Sequence, residues 1–122
     1  MEKLPIYPRL AFASSTQALL DNPYGRSKLI AEDLLWRYSE KYRTQVYLFR
    51  LTNVFGKWCK PNYNSVVATF CHNIVSNLPV TIHDSSSPLR LIYIDDFVDV
   101  LLNLLKDPNK ESGFIEAGQV YE

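Results

Sequence analysis

Tyr24 and Lys28 stand four positions apart in the segment Asn22-Pro23-Tyr24-Gly25-Arg26-Ser27-Lys28, which carries the marks of a helix start. Residues so spaced share one helical face, which places the ammonium a few ångströms from the phenol. A phenol titrates near pH ~10 in isolation, and a cation at about 4 Å in a half-buried site favours the phenolate by roughly two to three pKa units. Tyr24 is then expected to exchange protons near neutral pH. Nine residues upstream, Ser15 sits where a strand is expected to end, and its hydroxyl could hold a carbonyl oxygen that Tyr24 protonates. Alone, the Tyr-Lys pair is as compatible with chance spacing as with chemistry, and Ser14-Ser15-Thr16 reads as an ordinary turn. Their conjunction points to work on a carbonyl.

Elements of the right kind surround these residues. Leu4 to Ala13 reads as a strand frayed by Pro5 and Pro8, its firm part being Leu10 to Ala13. Asn22 and Pro23 supply an N-cap and a first-turn proline, and Leu29, Ile30, Leu34, Leu35 and Tyr38 recur at helical spacing, so a helix is expected over Pro23 to Tyr42. Gln45 to Leu51 is β-branched and aromatic, as a strand covered on both faces requires. A loop runs through Asn64, followed by a helix over Ser65 to Leu78 that Pro79 ends. Short strands are expected at Val80 to His83 and Leu89 to Ile94. Asp95-Asp96 would cap a helix over Phe97 to Lys106, and Phe114 to Ala117 would add a last strand. Strands alternating with helices imply an α/β fold with a mostly parallel sheet, and 122 residues suffice for a single domain over 1–122.

Phe12-Ala13-Ser14-Ser15 followed by Asn22 to Lys28 resembles the Ser, Tyr-x-x-x-Lys core of extended short-chain dehydrogenases/reductases, the NAD-dependent epimerase/dehydratase family. The resemblance continues through Arg50-Leu51-Thr52-Asn53-Val54-Phe55-Gly56 and Tyr93-Ile94-Asp95-Asp96. Within that family Asn53 to Asn73 (NVFGKWCKPNYNSVVATFCHN) looks most like CapF-type capsular-polysaccharide enzymes, NADPH-dependent reductases of a UDP-linked 4-keto-6-deoxy-amino sugar. The resemblance implies a Rossmann-like, doubly wound fold. It also implies that Ser15 positions the sugar oxygen, that Tyr24 is the acid or base, and that Lys28 tunes Tyr24 while holding the nicotinamide ribose. Asn53 would approach the sugar nucleotide, and the loop from Val54 to Lys57 would flank the nicotinamide. Arg90 would clamp the pyrophosphate, as guanidinium suits it to do. It stands one residue closer to Ile94 than the family pattern, however, and a one-residue slip turns a strand side chain to the other face.

Other groups carry less. Cys71 and His72 are neighbours on a helix and point in different directions, which does not suit a nucleophile and its base. Asp95 and Asp96 read as a cap rather than a metal site. Lys57, Trp58 and Lys60 form a basic loop that suits either a phosphate or plain solvation.

Thirteen basic residues balance thirteen acidic ones with no run of like charge, which argues against a nucleic acid or an anionic membrane surface as partner. The first fifteen residues are too short and too interrupted for a signal peptide or span, so the expected location is cytoplasmic. Cys59 and Cys71 are expected as buried free thiols. Only Gly25, Gly56, Gly113 and Gly118 occur, and none forms the Gly-rich turn that receives a dinucleotide pyrophosphate. The expectation is therefore a partial domain without its N-terminal dinucleotide-binding half, binding NAD(P) poorly, inactive alone, and associating with itself or with that half. A nucleotide-sugar 4-epimerase or dehydratase, or a non-catalytic assembly module derived from the same fold, remains open beside the reductase.

Overall fold

The computed structural model describes residues 6–122. Its elements in order are β1 Leu10–Ser15, a 3-10 turn Thr16–Leu19, α1 Pro23–Tyr42, β2 Val46–Leu51, β3 Asn53–Phe55, α2 Val66–Val75, β4 Leu91–Tyr93, α3 Ile94–Lys106, β5 Gly113–Phe114 and β6 Val120–Tyr121. Two compact units form: the residues up to Leu51 with Leu104–Glu116, and Thr52–Asn103 with Ala117–Glu122.

In the first unit β1, β2 and β5 make a parallel sheet with β2 in the middle. A central parallel strand is covered on both faces, and the run Val46, Tyr47, Leu48 and Phe49 is wholly buried without alternation. Its polar atoms are satisfied: Tyr47 donates to the Lys110 carbonyl across 2.7 Å, and the Val46 N–H donates to Ser112 Oγ across 3.0 Å. Arg9 donates to the carbonyls of Leu105 and Asp107 across 3.3 and 2.9 Å, closing the end of α3 with a cation as a helix C-terminus favours.

Helix α1 is built as its sequence demands. Asn22 Oδ1 accepts from the Gly25 N–H across 2.7 Å, Pro23 occupies the first turn, and Arg43 ends the helix in the left-handed region at φ 51°. Gly25 is required by close approach, since a Cβ there would lie 2.1 Å from the Gln17 carbonyl oxygen and 2.6 Å from that of Leu20.

In the second unit β4 lies between β3, which it pairs in parallel, and β6, which it pairs antiparallel. Phe55 packs against Tyr93 and Tyr121, with ring centroids 5.4 and 6.3 Å apart. Gly56 adopts φ 142°, and a Cβ there would lie 2.4 Å from Ile94 Cγ2. Ser65 caps α2 by accepting from the Ala68 N–H across 3.3 Å.

Several expectations are corrected. Val80 to His83 forms no strand, because no neighbouring strand bonds it and Ile82 is left exposed. The last strand, expected over Phe114 to Ala117, is found at Gly113–Phe114, β3 is a strand within the stretch read as loop, and β6 is a strand in a stretch to which no element was assigned. Helix α3 starts at Ile94, so Asp95 and Asp96 lie inside its first turn rather than before it. The part of the first expected strand at Leu4 and Pro5 lies outside the described residues, and residues 6–9 are not extended into the sheet.

Candidate functional site

Strand β1 delivers Ser15 as its last residue, and the parallel register pairs it with Leu51 at the end of β2. Ser15 caps the following 3-10 turn, its Oγ accepting from the Gln17 N–H across 3.1 Å. That contact uses an acceptor lone pair and leaves the hydroxyl hydrogen as donor. Gly25 seats the start of α1 against the same turn, and Tyr24 beside it is half-exposed.

Lys28, one turn later, reaches back to β1. Its Nζ donates to the Ala13 carbonyl across 3.2 Å and lies 5.1 Å from the Phe12 ring centroid and 5.6 Å from that of Tyr24. The ammonium thus sits over two aromatic faces, where its charge is favourable. Tyr24, Lys28 and the end of β1 are brought together in the first unit by one cap, one close glycine approach and one lysine bond.

Asn53, Val54 and Arg90 belong to the second unit. Thr52 Oγ1, the Asn53 N–H and Asn53 Nδ2 all donate to the Arg90 carbonyl, across 2.8, 3.3 and 3.2 Å. The Asn53 amide therefore fastens β3 to the residue before β4. Val54 pairs with Ile92 in the same ladder, so Asn53–Phe55 is a strand where a loop was expected. The Arg90 guanidinium pairs with Glu122 across 3.3 Å on the surface.

Two polar networks escape sequence reasoning. Glu32 is buried and accepts from Ser14 Oγ, from Arg50 Nε across 3.1 Å and from Arg50 Nη2 across 2.7 Å. Burial alone would raise its pKa, but the bonds from Arg50 and Ser14 to the charged form more than offset this and hold it below the usual carboxylate value. The available signal is its place one turn beyond Lys28 on the same face. In the second unit Lys57 Nζ and Tyr93 Oη both donate to Asp95, each across 3.1 Å. Bonding to Asp95 raises the pKa of Lys57 and of Tyr93, and the Lys57 bond lowers that of Asp95. Lys57 is thereby engaged within its own unit, and Asp96 likewise accepts from Tyr121 Oη across 2.9 Å.

The thiols also differ from expectation. Cys59 and Cys71 are both exposed, because they border an open cleft of about 380 Å³ with Phe55, Gly56, Pro61 and Val67 instead of entering a core. Among the described residues no group of His, Cys, Asp and Glu could hold a metal ion, and no helix is long and apolar enough to cross a membrane.

Comparison with known proteins places this geometry in context. Residues 6–118 match the model of the NAD dependent epimerase/dehydratase family. The UDP-2-acetamido-2,6-β-L-arabino-hexul-4-ose reductase of Pseudomonas aeruginosa is 51% identical over 96 residues, which cover 79% of this chain and 26% of the relative. The capsular polysaccharide assembling protein CapF of Staphylococcus aureus superposes with a TM-score of 0.84 at 45% identity, over 93% of this chain and 31% of that one. A Thermus thermophilus UDP-glucose 4-epimerase, solved in complex with NAD, shares the fold at a TM-score of 0.75 and 23% identity, over 93% of this chain and 44% of that one. The chain spans between a quarter and a half of the length of these three proteins.

Proposed function

This chain belongs to the NAD dependent epimerase/dehydratase family, and we propose that it supplies the proton-transferring part of a reductase acting on the 4-keto group of a UDP-linked 6-deoxy sugar. The observation that carries this reading is the convergence at the end of β1. Lys28 on the Tyr24 face of α1 bonds the Ala13 carbonyl two residues before Ser15. The similarity to the Pseudomonas aeruginosa reductase supports the choice of substrate class.

A nicotinamide cofactor fits the donor set. The ammonium has three N–H groups and gives one to Ala13, and the phenol is half-exposed, so both are available to a ribose diol. Tyr24 and Lys28 would hold it. When bound, the nicotinamide supplies hydride to the carbonyl carbon.

The chain's own residues do the rest. Ser15 donates a hydrogen bond to the carbonyl oxygen and so stabilises the charge that grows there. Tyr24 passes its hydroxyl proton to that oxygen as the alkoxide forms. Lys28 places a positive charge beside the phenolate left behind. The same residues bind NAD(P) poorly and turn over little without a Gly-rich pyrophosphate turn.

A hybrid enzyme tests this. The matching 96-residue segment of the Pseudomonas aeruginosa reductase is replaced by that of this chain, and NADPH oxidation and the sugar product are followed with that enzyme's own keto sugar. Reduction at C4 is the expected result. Net epimerisation or elimination without NADPH consumption would assign the epimerase or dehydratase reading instead. A folded hybrid without any turnover would assign the non-catalytic module.

A further inference from the structure

The face of α1 that carries Tyr24 and Lys28 has a third polar member one turn on. Glu32 is 2% exposed, and its carboxylate is shared between two strands, accepting from Ser14 on β1 and twice from Arg50 on β2. Ser14 and Arg50 are register partners in the parallel ladder. Their side chains therefore leave the same side of the sheet and meet one acceptor. Phe114 backs the assembly, its ring centroid 4.4 Å from the Arg50 guanidinium carbon and 5.7 Å from the Trp36 ring of α1.

Lys28 bonds Ala13, and Glu32 bonds Ser14. Successive turns of α1 thus grip successive residues of β1. A two-rung connection of this kind sets how far the helix has slid along the strand, and a slip of one helical residue would carry Tyr24 by about 1.5 Å.

We propose that Glu32 is a positioning residue, which through Ser14 and Arg50 holds the Tyr24–Lys28 face of α1 in register with the strand end that carries Ser15. This rests on the carbonyl-reducing role given to those three residues. An ion pair withdrawn from water gains little over a well-packed apolar replacement, so stability alone is a poor account of it. Charge-assisted, bidentate bonds supply what apolar packing lacks, a defined relative placement. A catalytic group displaced by about 1 Å costs on the order of 100-fold in rate.

Glu32→Gln keeps the shape and removes the charge. In the hybrid it should lower kcat about 100-fold while KM for the sugar stays within about threefold. In the 122-residue chain it should also shift the Lys28 Nζ resonance, identified by its loss in Lys28→Arg. Lowered thermal stability with unchanged kcat per folded molecule and an unmoved Lys28 signal would overturn the proposal. Should Glu32→Gln not fold, Ser14→Ala removes one rung, leaves the ion pair, and should give the same split between kcat and KM; kcat unchanged in that variant overturns the proposal equally. Tyr24→Phe in the same hybrid separates the two failures. Its inactivity beside a fully active Glu32→Gln refutes the positioning role alone, whereas an active Tyr24→Phe refutes the catalytic reading on which it rests.

Discussion

Lys28 Nζ donates to the main-chain oxygen of Ala13 across 3.2 Å, so the ammonium is tied to the strand whose last residue is Ser15. The lysine is thus anchored to main chain and not to another side chain. Its replacement therefore removes both the charge beside Tyr24 and a bond between α1 and β1.

Lys28→Met is expected to lower kcat/KM of the hybrid by at least about 100-fold, within the range that assisted proton transfer contributes. Lys28→Arg keeps the charge but presents it in a planar fork and should recover only part of the rate. Steady-state NADPH oxidation by the two variants is the check, and equal rates for wild type and Lys28→Met would exclude the role.

Arg50→Ala leaves the Glu32 carboxylate buried with only Ser14 as partner. Removal of one member of a buried pair typically costs about 3 kcal/mol or more. Urea unfolding of the chain should show a loss of that size, and a change below about 0.5 kcal/mol would mean that water reaches the carboxylate.

The same carboxylate sets a pH dependence. Its folded pKa is lowered, chiefly because the bonds from Arg50 and Ser14 outweigh burial, so the folded chain binds fewer protons than the unfolded one as the group titrates. The stability it contributes is complete above the unfolded value of about 4.3 and is lost as pH falls through the folded value below it. Urea midpoints measured from pH 6 down to pH 3 should fall in that window, and Glu32→Gln should flatten the fall. An unaltered slope in Glu32→Gln would contradict the assignment.

Gly25→Ala is expected to destabilise by about 1–3 kcal/mol, because its Cβ meets two backbone carbonyl oxygens that cannot rotate away. The same displacement moves Tyr24, so activity in the hybrid should fall along with the thermal midpoint. A variant as stable and as active as the parent would show that the turn yields freely.

Much of the first unit is legible in the sequence, because its signals are local. Asn22, Pro23 and the recurrence of Leu29, Leu34 and Tyr38 define α1 within a single segment. The unbroken apolar run Val46 to Phe49 announces a central parallel strand. Glu32 is not legible in the same way, since its partners Ser14 and Arg50 each lie 18 residues away and meet it only after the sheet has paired. The second unit is harder still. Strands of two or three residues such as β3 and β6 carry no periodicity, and their existence depends on the partner that β4 offers. Cys59 and Cys71 illustrate the limit for burial, since residue type favours a core while their loop and helix border an open cleft. Both thiols should react with a disulfide reagent without denaturant, and protection of either would contradict that placement.

The most direct measurement is kcat of the hybrid reductase carrying Tyr24→Phe, a change that deletes one oxygen from a half-exposed ring. If Tyr24 delivers the proton, kcat falls by about 100-fold to 10,000-fold while KM for the sugar is little changed. A Tyr24→Phe hybrid that reduces the keto sugar within about threefold of its parent would contradict it.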